Sequence, residues 1–165
     1  MTHSRSKLRY GPQTIVGVLL LLLLITGSAA AEEPDTVTHF EALSVVCPEE
    51  GEIVISDNDE GLFAGPGIAE VTITEKGEII VNPSLQFPTA YPDSSWVVPG
   101  RGRITPTGFF VNHRGYGTGD LEGGKIVYRA TPPDEPVGEL PCEPVPDTPI
   151  VKLAGTIILP PGVLK

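Results

Sequence analysis

The clearest pattern in the chain lies between Ile68 and Asn82, where Val71 and Ile73 alternate with Glu70, Thr72 and Thr74. Glu75-Lys76-Gly77-Glu78 then supplies a turn and Ile79-Ile80-Val81 returns. Successive side chains of a strand point to opposite faces, so this spacing predicts a β-hairpin with one buried face. Thr36 to Cys47 is rich in β-formers, and Glu52 to Ser56 reads as a short apolar strand bounded by acids. Asn82 to Pro99 carries several prolines and reads as a loop, with a short strand near Trp96 to Val98. Arg103 to Thr107, Gly108 to Arg114, Gly115 to Leu121 and Lys125 to Thr131 follow as candidate strands separated by Gly or Pro. In Ile150 to Leu159, Val151, Leu153, Ile157 and Leu159 share one parity, and Gly155 between them suits a bulge or a bend in a curved sheet.

Composition narrows the architecture. The 165 residues include 19 Gly and 18 Pro, and after residue 31 the longest stretch free of both is Asp35 to Cys47, 13 residues, which leaves little room for helices of ordinary length. With 40% hydrophobic and 19% charged residues the chain is too apolar to be disordered. About eight to ten short strands with closely spaced turns predict an all-β fold. The expected form is a single antiparallel β-barrel over residues 32–165, with a β-sandwich as the alternative, carrying long Pro-rich loops. Thr131 to Pro149 holds seven prolines in 19 residues. That density excludes a central strand and predicts an extended, polyproline-like connection held in its middle by Cys142.

Residues 1–31 read as a signal peptide. Arg5, Lys7 and Arg9 form a basic region without acids, Ile15 to Ile25 is apolar, and Ala29-Ala30-Ala31 offers a small-residue cleavage site before Glu32. An uncleaved signal anchor is the alternative. The expected destination is therefore an extracellular or periplasmic space. Cleavage would take the formal charge from −10 to −13, because the leader carries three cations and no acid. So acidic a surface repels phosphate backbones and anionic headgroups, which argues against nucleic-acid partners and against membrane attachment of the mature form. Cys47 and Cys142 lie 95 residues apart in a chain bound for an oxidising space, with Glu49, Glu50 and Glu143 rather than cations nearby. A disulfide is expected, and closing so long a loop contributes on the order of 4 to 5 kcal/mol in the chain-entropy account.

Gly117-Thr118-Gly119-Asp120-Leu121-Glu122-Gly123, followed by a strand and later by Leu153-Ala154-Gly155-Thr156-Ile157-Ile158-Leu159, carries a resemblance. Residues 115–159 resemble the glycine-patterned strand pair of secreted β-barrel proteins similar to allene oxide cyclase and dirigent proteins. The resemblance implies a barrel fold; the catalytic residues of the plant enzymes have no counterparts that can be placed on this chain, so it implies no activity. Nor do the glycines from Gly115 to Gly124 form a dinucleotide loop, since Lys125-Ile126-Val127-Tyr128 reads as a strand where a helix would be required. No cofactor is implied.

Three sets of residues have chemical potential. Asp57, Asp59 and Glu60 could ligate a cation, but the segment departs from the EF-hand template, and acidic turn residues are ordinarily solvated. His113 shares strand parity with Phe109 and Val111 and could face a barrel interior or mouth as a general base, although no nucleophile motif accompanies it and a surface or rim position is the expectation. Phe87, Tyr91 and Trp96 sit in a Pro-bounded loop ahead of Arg101 and Arg103. They could form a binding platform, or the rings could simply cover one end of the barrel. The expected function is a non-enzymatic module binding a small apolar molecule or an extracellular surface. The alternative is a cyclase-like or hydrolytic barrel using His113 with a nearby carboxylate.

Overall fold

A computed structural model describes residues 33–56 and 59–163. The signal-peptide reading of residues 1–31 lies outside the described residues. Eight strands close into an antiparallel barrel in sequence order, each paired with its neighbours and β1 with β8. They are β1 (Thr36–Cys47), β2 (Gly51–Ser56), β3 (Gly65–Ile73), β4 (Glu78–Gln86), β5 (Trp96–Thr105), β6 (Gly108–Gly117), β7 (Lys125–Thr131) and β8 (Val151–Leu159). Closure gives each strand a neighbour on both sides, although β2 meets β3 only at Glu52–Val54 against Gly65–Gly67; this suits a chain with short strands and, among the described residues, no long helix to cover an open sheet.

Strand parity sorts the wall. Phe40, Ala42 and Ser44 of β1, Ile126, Tyr128 and Ala130 of β7, and Leu153, Ile157 and Leu159 of β8 are all buried. Their registered neighbours confirm one inner face: Ala130 pairs with Leu153, Leu153 with Ala42, and Ile126 with Ile157. The alternation expected for the late strands is therefore present.

Several boundaries differ from the sequence reading, each for a physical reason. The segment expected as a loop from Asn82 contains the second half of β4, and the short strand expected near Trp96 to Val98 is the start of a longer β5 that runs on to Thr105. Pro83 fits because the β4–β5 register shifts between Val81 and Ser84, and Pro99 fits because the β5–β6 ladder passes from Val97 to Gly100 without pairing it. Neither proline is asked for a ladder donor. The two strands expected on either side of Gly115 are one, β6, followed by a short 3-10 turn at Gly119–Leu121. Gly155 marks no bulge, since β8 keeps continuous register with both β1 and β7. It lies between Phe40 and Tyr128 on the flanking strands, and a methyl group there would run into Tyr128 and the Val127 carbonyl. Gly100 stands in the same relation to His113: a Cβ would sit 2.6 Å from the ring Nδ1. These glycines are gaps in the wall that inward-pointing rings occupy.

The barrel has two unlike ends. One carries the turn after Cys47, the β3–β4 and β5–β6 turns and the strand-free connection 132–150. Cys47 and Cys142 lie at disulfide distance there, Cα to Cα 5.9 Å, and the Val145 amide donates to the Val46 carbonyl at 2.9 Å, so the connection is held against the end of β1. The other end is plugged. Leu62, Phe63, Trp96, Leu121 and Leu159 are buried there, and Trp96 Nε1 donates to the Leu62 carbonyl at 2.7 Å.

Candidate functional site: an incompletely filled barrel interior

Eight strands make an interior just wide enough either to be filled by side chains or to hold one small ligand. Here it is not filled. A cavity of about 260 Å³ runs inward from the end held by the 132–150 connection. Its outer wall is apolar, with Val71, Ile73 and Ile104 facing inward by parity yet still about half exposed, and with Phe109, Pro149 and Val151 beside them. The reason is local: the β3–β4 hairpin reads as a half-buried hairpin in sequence, but the far halves of its strands rise to the mouth and find no opposing side chains.

Deeper in, the wall becomes polar. Ser44 Oγ donates to Glu52 Oε1 at 2.7 Å, and Gln86 Nε2 donates to the Gly65 carbonyl at 3.0 Å. The Glu52 and Gln86 head groups meet over Gly67, where a Cβ would lie 3.4 Å from the carboxyl carbon and 2.7 Å from Gln86 Oε1. An aromatic row crosses the interior. Phe40 and Phe63 have ring centroids 4.8 Å apart, Phe63 and Tyr128 5.1 Å, and Tyr128 and His113 stack at 4.3 Å with planes 11° apart.

Burial sets the protonation of this row. Desolvation pulls the His113 pKa down to about 4, against a smaller opposing effect of hydrogen bonding to the Val98 backbone, so the ring is neutral at neutral pH. Desolvation, reinforced by the Glu52 charge and partly offset by the Ser84 hydroxyl, pushes the Tyr128 hydroxyl well above its ordinary value, so it stays protonated. Glu52 is the one charged side chain among the described residues that line the cavity. Buried His113 Nδ1 has no hydrogen-bond partner among the described residues.

His113 thus occupies the interior, with Val111 and Phe109, and not the surface or rim position expected from its sequence context. Its neighbour Arg114 is exposed on the outer face. The remaining sequence candidates lie away from the cavity. Trp96 is fully buried in the plugged end, Tyr91 donates its hydroxyl to the Val163 carbonyl at 3.0 Å and packs on the core, and Phe87 is half-buried in the same loop. Arg101 and Arg103 are exposed and point outward from β5. Asp59 is 1% exposed and accepts from the Phe63 and Gly61 amides at 2.7 and 3.1 Å, which ties its carboxylate to the loop that brings Phe63 into the plug. Glu60 is exposed, with a left-handed φ of 51°. Asp57 lies outside the described residues. No group of three or more His, Cys, Asp or Glu among the described residues could hold a metal ion.

Ser84 and Gln86 do not stand out in the sequence, and Glu52 shows there only as one of a run of acids at the start of a short strand. A partial signal exists for Ser44 and Tyr128, which share parity with apolar neighbours on inward-facing strands. Comparison with protein-family models, with curated proteins and with solved structures finds no match.

Proposed function

We propose that this protein is an exported, non-enzymatic barrel that binds a small apolar molecule in its interior. The observation that carries the reading is the apolar-walled cavity opening through an exposed apolar rim at Val71, Ile73 and Ile104. An interior of this size could have been closed by larger side chains, and concave apolar sites with a few polar groups are the usual form of small-molecule sites. Export rests on the reading of residues 1–31 as a signal peptide, and the Cys47–Cys142 pair is compatible with an oxidising destination. The closed eight-stranded barrel is compatible with the allene oxide cyclase/dirigent-like resemblance, which brings no activity to this chain. The alternative, an enzyme using His113 with Glu52, draws on their presence in one cavity, but a histidine held near pKa 4 is a weak base at neutral pH.

Calorimetric titration with 1-octanol tests the binding reading. Saturable binding is expected, and Val71→Trp, which places a large ring at the mouth without entering the packed core, should weaken it at least tenfold. Absence of saturable binding, or unchanged affinity in the variant, refutes the reading. Export is tested by intact mass: the exported protein should begin at Glu32, and retention of residues 1–31 would overturn the cleavage.

A further inference from the structure

An apolar ligand in the cavity still has a polar end of unspecified chemistry. Building on the cavity-binding reading, we infer that the interior selects a compact apolar amine, carried as its ammonium cation, over an apolar carboxylic acid of the same length.

The charge of the lining favours a cation. Glu52 brings a carboxylate to the wall, while none of the described Lys or Arg residues lines the cavity. Lys152 reaches Glu41 and Asp134 on the outside, at 3.6 and 3.3 Å, and the Arg129 guanidinium lies over the Phe110 ring at 4.9 Å. A carboxylate entering the barrel would meet like charge with no counter-ion, whereas an ammonium would meet Glu52 at reduced dielectric.

Hydrogen-bonding capacity points the same way. An ionised carboxylate accepts at about four lone-pair sites, and among the described residues the one side-chain donor on Glu52 is the Ser44 hydroxyl. An ammonium has three donors and no acceptor, which matches an acceptor-rich wall.

Volume limits the length of the ligand. A cavity of about 150 Å³ in another protein accepts a benzene ring, so a space of 260 Å³ takes a molecule of about ten non-hydrogen atoms. An eight-carbon amine meets that limit. The acidic chain, with a net charge of −10, favours approach of cations and opposes that of anions.

The test is isothermal titration at pH 7 with three probes of equal chain length, 1-octylamine, 1-octanol and octanoate, in 0.15 M salt. Octylamine is expected to bind at least tenfold more tightly than octanoate. Glu52→Gln should bring the two within threefold while keeping the affinity for 1-octanol, which also reports that the variant is folded. Should that variant fail to fold, displacement in the unaltered protein decides the matter: excess 1-octanol must release bound octylamine, because both occupy one cavity. Equal or tighter binding of octanoate, a preference that survives Glu52→Gln, or octylamine that 1-octanol cannot displace overturns the inference while leaving the cavity reading intact. Failure of all three probes to bind overturns both.

Discussion

Adding one methyl group to the barrel wall at Gly155 should destabilise the fold and disturb the cavity together. Gly155 pairs with Phe40 on one side and Tyr128 on the other, and its φ is not in the left-handed region, so the substitution Gly155→Ala carries no backbone penalty. The penalty is steric. An added Cβ would lie 2.7 Å from Tyr128 Cα and closer still to the Tyr128 Cβ and the Val127 carbonyl, which are backbone or backbone-anchored atoms that cannot swing aside. Overpacking of this kind costs about 1–3 kcal/mol, and contact with backbone places it near the upper figure. Replacing a strand glycine returns roughly 0.5–1 kcal/mol of conformational entropy, leaving a net loss of about 2 kcal/mol. With a urea slope of about 1–3 kcal/mol per molar, the midpoint should fall by roughly 1 M. Displacement of the Tyr128 ring should also weaken 1-octanol binding. Gly138→Ala is the control: nothing lies within 4 Å of a Cβ there, and the substitution should be neutral or slightly stabilising. If Gly155→Ala proves as harmless as Gly138→Ala, the idea that inward glycines accommodate the interior rings is wrong.

Two further outcomes are expected. Leu153→Ala, which removes a 4% exposed side chain from the inner face, should cost about 2 kcal/mol in a denaturant titration. Lys152→Ala on the outer face, paired only with exposed Glu41 and Asp134, should leave the midpoint nearly unmoved; equal losses would refute the parity of β8. The folded state holds the His113 pKa at about 4 against 6.5 in the unfolded chain, so the unfolded state binds the extra proton between those values. The contribution is complete above pH 6.5 and is lost as pH falls toward 4, by about 3 kcal/mol at most. His113→Leu should flatten that part of the stability profile, and an unchanged pH dependence would show that the ring is not desolvated.

Much of the fold is legible in the sequence because parity is a local signal. The hairpin around Gly77, the late strands and the pairing of Cys47 with Cys142 can all be read from alternation and spacing. Pro and Gly mislead where they look like the ends of elements. Pro83 and Pro99 sit at places where the ladder leaves a residue unpaired, a property of the neighbouring strand and not of the proline's own surroundings in sequence. Gly115 reads as a break between strands, yet β6 runs through it, with the Val97 carbonyl too close to admit a side chain. The site is less legible still. The aromatic residues that stand out in sequence, Tyr91 and Trp96, are used to plug one end. Glu52 draws no notice from periodicity, because its importance depends on Gly67 and Gln86, which reach it only once β2, β3 and β4 are side by side.

What the interior contains is hard to explain by stability alone. A buried nitrogen without a partner costs about 1–3 kcal/mol, and His113 Nδ1 is such an atom. His113 and Glu52 stand in a barrel whose other inward residues are mostly apolar, with Ser44, Ser84 and Gln86 as polar exceptions, where larger apolar side chains would have filled the space at lower cost. The apolar rim at Ile73 and Ile104 is likewise left exposed where polar residues would be more soluble. An unfilled cavity and an apolar mouth each reduce stability or solubility, and both lie along one path into the barrel, with Glu52 in its wall. A bound molecule with an apolar body and a donor head would relieve them together: its body would cover the rim, its volume would occupy the cavity, and its head would supply donors that Glu52 can accept. Departures from a filled barrel that share one remedy are better accounted for by a ligand than by separate accidents of packing.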